Sequence, residues 1–141
     1  MILLDTSVLS LVFRRRGSRE PEPHLVEAVR RMLREDVPLT VPGIVLQEVL
    51  SGVRTDAQFL RLKSLLEAFP ILVAERHHHV RAARIANACR RKGVAVSAVD
   101  CLISALATEH DAPLLTTDED FFRMAPHCGL TLFRVGEHRR G

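Results

Sequence analysis

The sequence predicts an α/β fold with three layers, in which helices cover both faces of a mostly parallel central sheet. The main observation is that short apolar runs, typical of buried strands, alternate with longer segments whose apolar residues recur at helical intervals. A second observation is the length, because 141 residues suit one domain with one sizeable core. No linker, repeat or low-complexity block interrupts the alternation, so we expect a single domain over residues 1–141.

The first predicted elements are a strand, a helix and a second strand. The opening "MILLD" is an apolar run with a polar stop, which predicts a buried strand at residues 2–4 followed by a functional position at Asp5. Apolar residues recur at helical intervals through residues 23–36. The "PLTV" run at residues 38–41 is a short strand candidate.

Two further helices are predicted from their end signals. Pro42 suits the start of a helix and Gly52 a C-terminal cap, which leaves Glu48 inside a mostly apolar helix. Thr55 is an N-cap candidate for an amphipathic helix that extends to Phe69.

The second half of the chain continues the alternation. Gly93 is expected to end the longest helix of this half. The predicted strands are residues 70–74, 113–117 ("PLLTT") and 130–135 ("LTLFRV"), and the predicted helices are residues 77–92 and 97–110.

The composition excludes several classes of protein. A hydrophobic share of 47% against 26% charged residues excludes a disordered chain, and no apolar run approaches the roughly 20 residues that cross a bilayer. The apolar N-terminus lacks a basic leader and contains Asp5, so it is a poor signal peptide and we expect a cytoplasmic protein with no membrane contact. Cys89, Cys101 and Cys128 show no C-x-x-C spacing and are expected to be reduced thiols, the first two in the core.

Basic residues are clustered along a chain that is only mildly basic, with net charge +3. Any one cluster could be solvated surface charge, but together they suggest a nucleic-acid partner. The clusters are Arg14 to Arg16, Arg139 with Arg140, and the group Arg76, Arg81, Arg84, Arg90, Arg91 and Lys92.

Four acidic residues occupy positions that need an explanation. Asp5 and Asp118 follow predicted strands, and the carboxyl ends of strands in open α/β sheets gather functional groups at one edge. Asp100 and Glu48 are embedded in apolar segments, where an isolated carboxylate would lose hydration unless a cation or donor lay beside it. Four such acids suggest a hard divalent cation such as Mg²⁺, which binds carboxylate oxygens together with substrate phosphates. This pattern indicates phosphodiester chemistry.

Most of these acids also have a structural interpretation. Ser97 with Asp100 has the spacing of a capping box, as does Thr117 with Asp120. Asp118 could be an N-cap and Asp5 could organise a turn. Only Glu48 lies well inside its helix, where no cap is required.

Four short motifs resemble the ordered acidic motifs of PIN-domain nucleases. They are "LLDTSVL", "LQEVLSG", "AVDCLISALA" and "LLTTDEDF", and the resemblance runs from residue 2 to about residue 135. The short length and the "ExxxG" that ends at Gly52 look most like the VapC-type toxins of toxin-antitoxin pairs. The resemblance therefore implies a PIN-like α/β/α fold.

The resemblance further implies an endoribonuclease that depends on Mg²⁺, with Mn²⁺ as an alternative. Asp5, Glu48, Asp100 and Asp118 match the catalytic acidic quartet, and Asp5, Asp100 and Asp118 would be metal ligands. Asp120 matches an auxiliary position, and the resemblance leaves open whether Asp118 or Asp120 is the direct ligand.

The remaining residues of such a site would position water and attract RNA. Thr6 and Thr116 could hold the water or a ligand through hydrogen bonds, although both also suit an ordinary turn or strand. An acidic pocket repels RNA, so a basic rim is required to bind the backbone. The candidates for this rim are Arg14, Arg15, Arg16, Arg81 and Arg84.

Two other features bear on specificity. Consecutive helical residues point about 100° apart, so His77, His78 and His79 cannot all reach one ion and are expected to contact solvent or RNA. The chain has no Trp or Tyr and six Phe, so stacking platforms for bases are scarce and specificity is expected to depend on RNA shape.

The expected partners are structured RNA (tRNA, rRNA or mRNA), a second copy of the chain in a homodimer, and a cognate antitoxin. The antitoxin would lie along the helices at residues 23–34 and 55–69. Alternatives are a PIN-domain RNA-processing nuclease without an antitoxin and a non-catalytic RNA-binding module. An aspartyl phosphatase using Asp5 is disfavoured, because "DTS" lacks the second acid two residues on.

Overall fold

The computed structural model describes residues 1–13 and 22–136. In these ranges four strands form one parallel sheet with the order β3-β2-β1-β4, so the first strand lies at its centre. Leu3 of the first strand pairs with Thr40 on one side and Leu114 on the other. The strands are β1 (Ile2–Leu4), β2 (Leu39–Pro42), β3 (Ile71–Leu72) and β4 (Leu114–Leu115).

Seven helices in the described part of the chain complete the α/β/α fold. Their most extensive contacts fall into two groups, one made of the first four helices and the other of the last three. They are α1 (Thr6–Val12), α2 (Pro23–Arg34), α3 (Gly43–Ser51), α4 (Asp56–Leu66), α5 (Arg76–Arg91), α6 (Ala98–Glu109) and α7 (Glu119–Cys128).

The core is built around β1 and its neighbour β4, because parallel strands with helices on both faces are apolar throughout. Leu3, Leu4 and Leu114 are fully buried. Burial of each such side chain contributes roughly 1.5–3 kcal/mol. A rigid pair of strands therefore carries the residues that follow β1 and β4.

Most predicted elements are confirmed. The first strand has the predicted bounds, Pro42 and Gly52 are the caps of α3, and the Thr55 hydroxyl accepts a hydrogen bond from the amide of Gln58 at the start of α4. Gly93 has a φ of +74°, a conformation that glycine adopts without steric cost just after α5. Cys89 and Cys101 are buried free thiols on helices, as expected.

Other boundaries were wrong. The predicted strand at residues 70–74 shortens to β3, and the one at residues 130–135 is a single bridge between Leu132 and Leu114. Two short helices, α1 and α7, were not predicted. Asp5 both ends β1 and caps α1, which leaves no loop to signal the change, and α7 contains Pro126, which disfavours a helix by sequence.

None of the described helices combines the length and the apolar composition needed to span a bilayer. The arginine clusters at residues 14–16 and 139–140 lie outside the described residues.

Candidate functional site

The candidate site lies where β1 and its neighbour β4 end. Leu4 of β1 pairs with Leu115 of β4, so Asp5 and Thr116, the next residues along each strand, are neighbours. The Thr116 hydroxyl donates a 2.6 Å hydrogen bond to Oδ2 of Asp5 and accepts one of 2.9 Å from the amide of Asp118. Parallel pairing thus brings residues more than one hundred positions apart into one network, as expected at the carboxyl edge of such a sheet.

Asp5 is the most buried acid of the site, with 3% of its surface exposed. Its Oδ1 accepts hydrogen bonds from the Ser7 hydroxyl at 2.7 Å and the Val8 amide at 3.2 Å. Burial raises the pKa of Asp5, while the hydrogen bonds from Thr116, Ser7 and Val8 oppose the rise. The carboxyl group therefore has a fixed orientation in a nearly dry environment.

Ser7 is a residue of this site that the sequence analysis missed. Besides donating to Asp5, its hydroxyl accepts a 3.0 Å hydrogen bond from the amide of Thr117. Ser7 consequently ties the start of α1 to the segment that follows β4. In the sequence, this role is indicated only by the position of Ser7 two residues after Asp5. A serine in an ordinary turn has the same position.

Three further carboxylates form a cluster beside Asp5. Asp100, Asp118 and Asp120 each offer an oxygen, and these oxygens lie within 4.8 Å of one another. Among residues 1–13 and 22–136 this is the one group of three or more potential ligands with such spacing. Two members of the group, Asp100 and Asp118, were predicted as metal ligands, and the third, Asp120, was predicted as auxiliary. Asp5, the other predicted ligand, lies outside the group.

The cluster forms because two helices begin there. The Ser97 hydroxyl accepts from the amide of Asp100 at the start of α6, and Oδ1 of Asp118 accepts from the amide of Asp120 at the start of α7. Helix N-termini carry partial positive charge, which favours nearby carboxylates. Asp118 is thus an N-cap and a cluster member at once, so its structural and functional interpretations are compatible.

Asp100 carries the clearest electrostatic signature of crowding. Its pKa is raised to about 6, first by partial burial and then by the negative charges of Asp118, Asp120 and Glu48. The Ser97 hydrogen bond opposes this rise. Asp118 also raises the pKa of Asp5. Asp5 thus interacts electrostatically with Asp118, and Asp100 interacts with Asp118, Asp120 and Glu48, so the five acids form one connected series of neighbours.

Glu48 differs from the expectation of an acid in an apolar environment. Its side chain is exposed on α3, because the apolar residues around it in sequence face other directions of the helix. Its Oε1 accepts a 2.9 Å hydrogen bond from the Thr6 hydroxyl. Of the four predicted acids only Asp5 is buried, so proximity to like charges, and not burial, is what the four share.

Arg123 is a second residue of this region that the sequence analysis did not identify. Its guanidinium donates a 2.6 Å hydrogen bond to Oδ1 of Asp120 and lies 3.6 Å from Oε2 of Glu119. The spacing from Asp120 to Arg123 is one helical turn, which is the available signal in the sequence. The arginine offsets part of the negative charge at one edge of the cluster.

The predicted basic residues that the structure describes lie elsewhere. The Arg81 guanidinium donates to the Thr108 hydroxyl at 2.8 Å and lies 3.4 Å from Glu109. Thr108 is eight residues beyond Asp100 on α6, or about 12 Å along the helix. Arg81 therefore holds α5 against the far end of α6, whereas Arg84 is exposed on α5.

The donor set of the cluster fits a hard divalent cation. All three candidate ligands are carboxylates, and Mg²⁺ or Mn²⁺ prefers oxygen donors of this kind. Partial burial first, and then the neighbouring negative charges, raise the pKa of Asp100, and a bound cation would offset both effects. Asp100, Asp118 and Asp120 are thus the residues that could hold such an ion.

Comparisons with known proteins agree with this geometry. The PIN domain family model matches residues 2–126. The chain is 38% identical over 124 residues to a VapC ribonuclease of Mycobacterium bovis, and that alignment covers 86% of this chain and 89% of the relative. Ribonuclease VapC11 of Mycobacterium tuberculosis is similar to the same extent.

Solved structures show the same fold at lower identity. FitAcB from Neisseria gonorrhoeae has a TM-score of 0.75 at 23% identity, covering 97% of this chain and 99% of that one. VapBC2 from Rickettsia felis, bound to a DNA fragment from its promoter, has a TM-score of 0.73 at 18% identity, covering 94% and 98%. The chain therefore belongs to the PIN domain family, and relatives similar to it within that family are VapC ribonucleases.

Proposed function

We propose that this protein is a divalent-metal-dependent endoribonuclease, formed by one PIN nuclease domain, that acts as the toxin of a toxin-antitoxin pair. The observation that carries the proposal is the cluster of Asp100, Asp118 and Asp120, with Asp5 and Glu48 in electrostatic reach. The names of the VapC ribonuclease relatives support the same activity.

Asp100, Asp118 and Asp120 would hold Mg²⁺ or Mn²⁺ in this proposal. A bound ion of this type supplies Lewis-acid polarisation of a phosphate and lowers the pKa of a bound water. Asp5 lies outside the three-carboxylate cluster, and both of its oxygens already accept hydrogen bonds from hydroxyls. Each carboxylate oxygen has a second lone pair, so Asp5 stays a candidate ligand for the ion. It also fixes the position of Thr116, which in turn holds the amide of Asp118.

Glu48 is the acid best placed to accept a proton from the attacking water. Its Oε1 is held by the Thr6 hydroxyl, which orients the carboxylate and leaves Oε2 for a second partner. Glu48 is also exposed, so water reaches it directly. Thr6 is thus a positioning residue in this proposal.

RNA reaches this acidic site with the help of cations outside it. Arg84 is exposed and suits this role, whereas Arg81 is engaged with α6. Arg14, Arg15 and Arg16 remain candidates from the sequence. The substrate is structured RNA in the cytoplasm, and each phosphate contact is expected to add to the salt dependence of binding.

The antitoxin would bind a groove of about 860 Å³ between α2, α4 and the end of α1. The groove is mainly apolar, and it lies along the two helices that the sequence suggested for this contact. Its lining includes Val12, Phe13, Leu33, Leu62 and Leu65, together with Arg30, Arg54 and Arg61. An amphipathic segment with acidic residues would complement this surface.

A homodimer is the expected assembly. Val73 and Val80 are 68% and 54% exposed, which is a reason to expect that a second surface covers them. Light scattering at micromolar concentration is expected to give the mass of a dimer, and a monomer would contradict this part of the proposal.

Cleavage of RNA by the purified protein tests the proposed activity. We expect cleavage of RNA with Mg²⁺ or Mn²⁺ and none with EDTA, followed by recovery when excess metal is added back. An unchanged rate in EDTA would contradict the proposal. For the antitoxin, Leu65→Asp is expected to abolish complex formation with the product of an adjacent small reading frame without reducing cleavage.

A further inference from the structure

A second groove, of about 950 Å³, lies next to the acidic site, along the start of α7. Thr116 and Thr117, which belong to the hydrogen-bond network of Asp5 and Ser7, line it. The volume is within the roughly 300–1,000 Å³ of pockets that bind small organic groups. Because the Thr116 side chain also contacts Asp5, the groove and the acidic site share a wall.

Phe122 gives this groove an exposed aromatic surface. It is 45% exposed, whereas the adjacent Phe121 is 1% exposed and packs in the core. Phe122 lies four residues after Asp118, or about 6 Å along α7, and therefore on the same side of that helix. A large apolar ring left in water beside a polar site is the kind of surface on which a planar ligand stacks.

The charged residues that line the groove include one cation, Arg134, that could contact a phosphate. Arg134 lines the groove and is exposed, and it forms no ion pair within the described residues. Glu119 also lines it, but Arg123 lies 3.6 Å from its carboxylate and offsets its charge. Glu22 adds one acid that the ligand must avoid.

We propose that this groove binds the unpaired nucleobase of a nucleotide that flanks the scissile phosphate, by stacking on Phe122, while Arg134 contacts a neighbouring phosphate. The inference deepens the proposed ribonuclease function and rests on it. Base stacking on aromatic side chains accepts any base, so the groove selects single-stranded segments of a structured RNA and not a particular sequence. This differs from the sequence-based expectation that stacking contributes little.

The test measures binding of two labelled probes, single-stranded U12 and a matched abasic ribose-phosphate 12-mer, by fluorescence anisotropy in EDTA. We expect the parent to prefer U12 and Phe122→Ala to lose about 5- to 150-fold in affinity for U12 alone, as for a lost base–aromatic stack. Phe122→Trp should keep the preference. Leu60→Ala, which removes another apolar side chain, 56% exposed on α4, is the matched control and should behave as the parent.

Arg134→Ala tests the phosphate contact independently of the ring. It should weaken binding of both probes alike and reduce the salt slope by about one unit. A parent that does not distinguish the probes, or a folded Phe122→Ala that keeps the preference, would overturn the proposal. The proposal would also be overturned if Phe122→Ala kept its preference for U12 and lost antitoxin binding. Cleavage with Mg²⁺ is scored separately, so a base preference lost in Phe122→Ala without any cleavage by the parent would support the groove and contradict the nuclease.

Discussion

Two clusters of titratable residues lie near opposite ends of α6. They differ in how far the fold itself pairs their polar groups. In the histidine cluster, the rings of His77 and His110 lie 4.0 Å and 5.6 Å from that of His78. His78 is buried, and its Nδ1 accepts a 2.9 Å hydrogen bond from the amide of Glu75 at the start of α5. In the acidic cluster, three carboxylates crowd together, with Arg123 on one oxygen of Asp120.

This difference distinguishes residues that stabilise the fold from residues that are candidates for function, although both clusters are equally prominent in the sequence. The buried histidine uses its lone pair to complete a helix cap, so the fold itself satisfies it. In the acidic cluster, burial first and then the negative charges of Asp118, Asp120 and Glu48 raise the pKa of Asp100, and a bound cation would stabilise the charged carboxylate. We therefore expect changes in the first cluster to affect stability, and changes in the second to affect activity.

The largest expected effect is the loss of activity in Asp100→Asn. This change removes a candidate ligand while the Ser97 cap of α6 is retained. Since a catalytic metal contributes several kcal/mol to the transition state, cleavage should fall by roughly 100-fold or more. The initial rate of RNA cleavage in Mg²⁺ measures it, with His79→Ala, an exposed change in α5, as the control. Activity within twofold of the parent would remove Asp100 from the site.

Thr116→Val is expected to affect both activity and stability, because Thr116 connects the sheet to the cluster. The change deletes the hydrogen bonds to Asp5 and from the amide of Asp118. Loss of such buried bonds costs about 1–3 kcal/mol. Urea denaturation measures the cost, and Thr116→Ser should restore most of it. A valine variant as stable as the parent would show that this network does not hold the site together.

His78→Ala should reduce stability and leave the chemistry unchanged. It removes the acceptor of the Glu75 amide, and loss of a helix cap costs about 1 kcal/mol. His79→Ala is the matched control, because that side chain is exposed on the same helix. Thermal melting and cleavage rate should be measured together. A drop in cleavage rate at full folding would break the distinction between the two clusters.

The smallest expected effect is a pH dependence of opposite sign in the two clusters. Without metal, the pKa of Asp100 is raised to about 6 in the folded state, so the folded protein holds the extra proton and stability falls as pH rises from about 4 to 6. Burial first, then His77 and His110, lowers the pKa of His78. Its contribution is therefore complete above pH 6.5 and is lost as pH falls below that value.

Melting temperatures in EDTA between pH 4 and 8 would separate these two slopes. In Asp100→Asn, stability should no longer fall as the pH rises from about 4 to 6. In His78→Gln, stability should no longer fall as the pH drops below 6.5. Identical pH profiles for the parent and both variants would show that neither group titrates with a shifted pKa.

Helices and strands were predictable where the apolar residues recur at a clear interval or where a capping residue marks the end of the element. The helices that Thr55 and Ser97 cap were found for this reason. α1 was missed because it starts directly at Asp5, so strand and helix share one apolar run. The alternation in "LTLFRV" suggested a strand, but backbone pairing depends on a neighbour, and only Leu132 has a bridge.

The site was predictable in its chemistry and less so in its geometry. That Asp5 and Asp118 lie near each other could be predicted, because parallel strands end at one edge, whichever helices cover them. The exposure of Glu48 could not, because it depends on the direction in which α3 crosses the sheet. The hydrogen bond that Ser7 accepts from the Thr117 amide, and the groove that Phe122 lines, both depend on residues that are distant in sequence.

The melting temperature of the parent and of Asp100→Asn, in EDTA and then during titration with Mn²⁺, tests most directly whether the acidic cluster is a metal site. We expect Asp100→Asn to melt at or above the parent in EDTA, because the substitution relieves repulsion. We also expect Mn²⁺ to stabilise the parent by about 2.7 kcal/mol at one hundred times its dissociation constant, and the variant far less. A variant that melts below the parent in EDTA and responds equally to Mn²⁺ would contradict the assignment of a metal site.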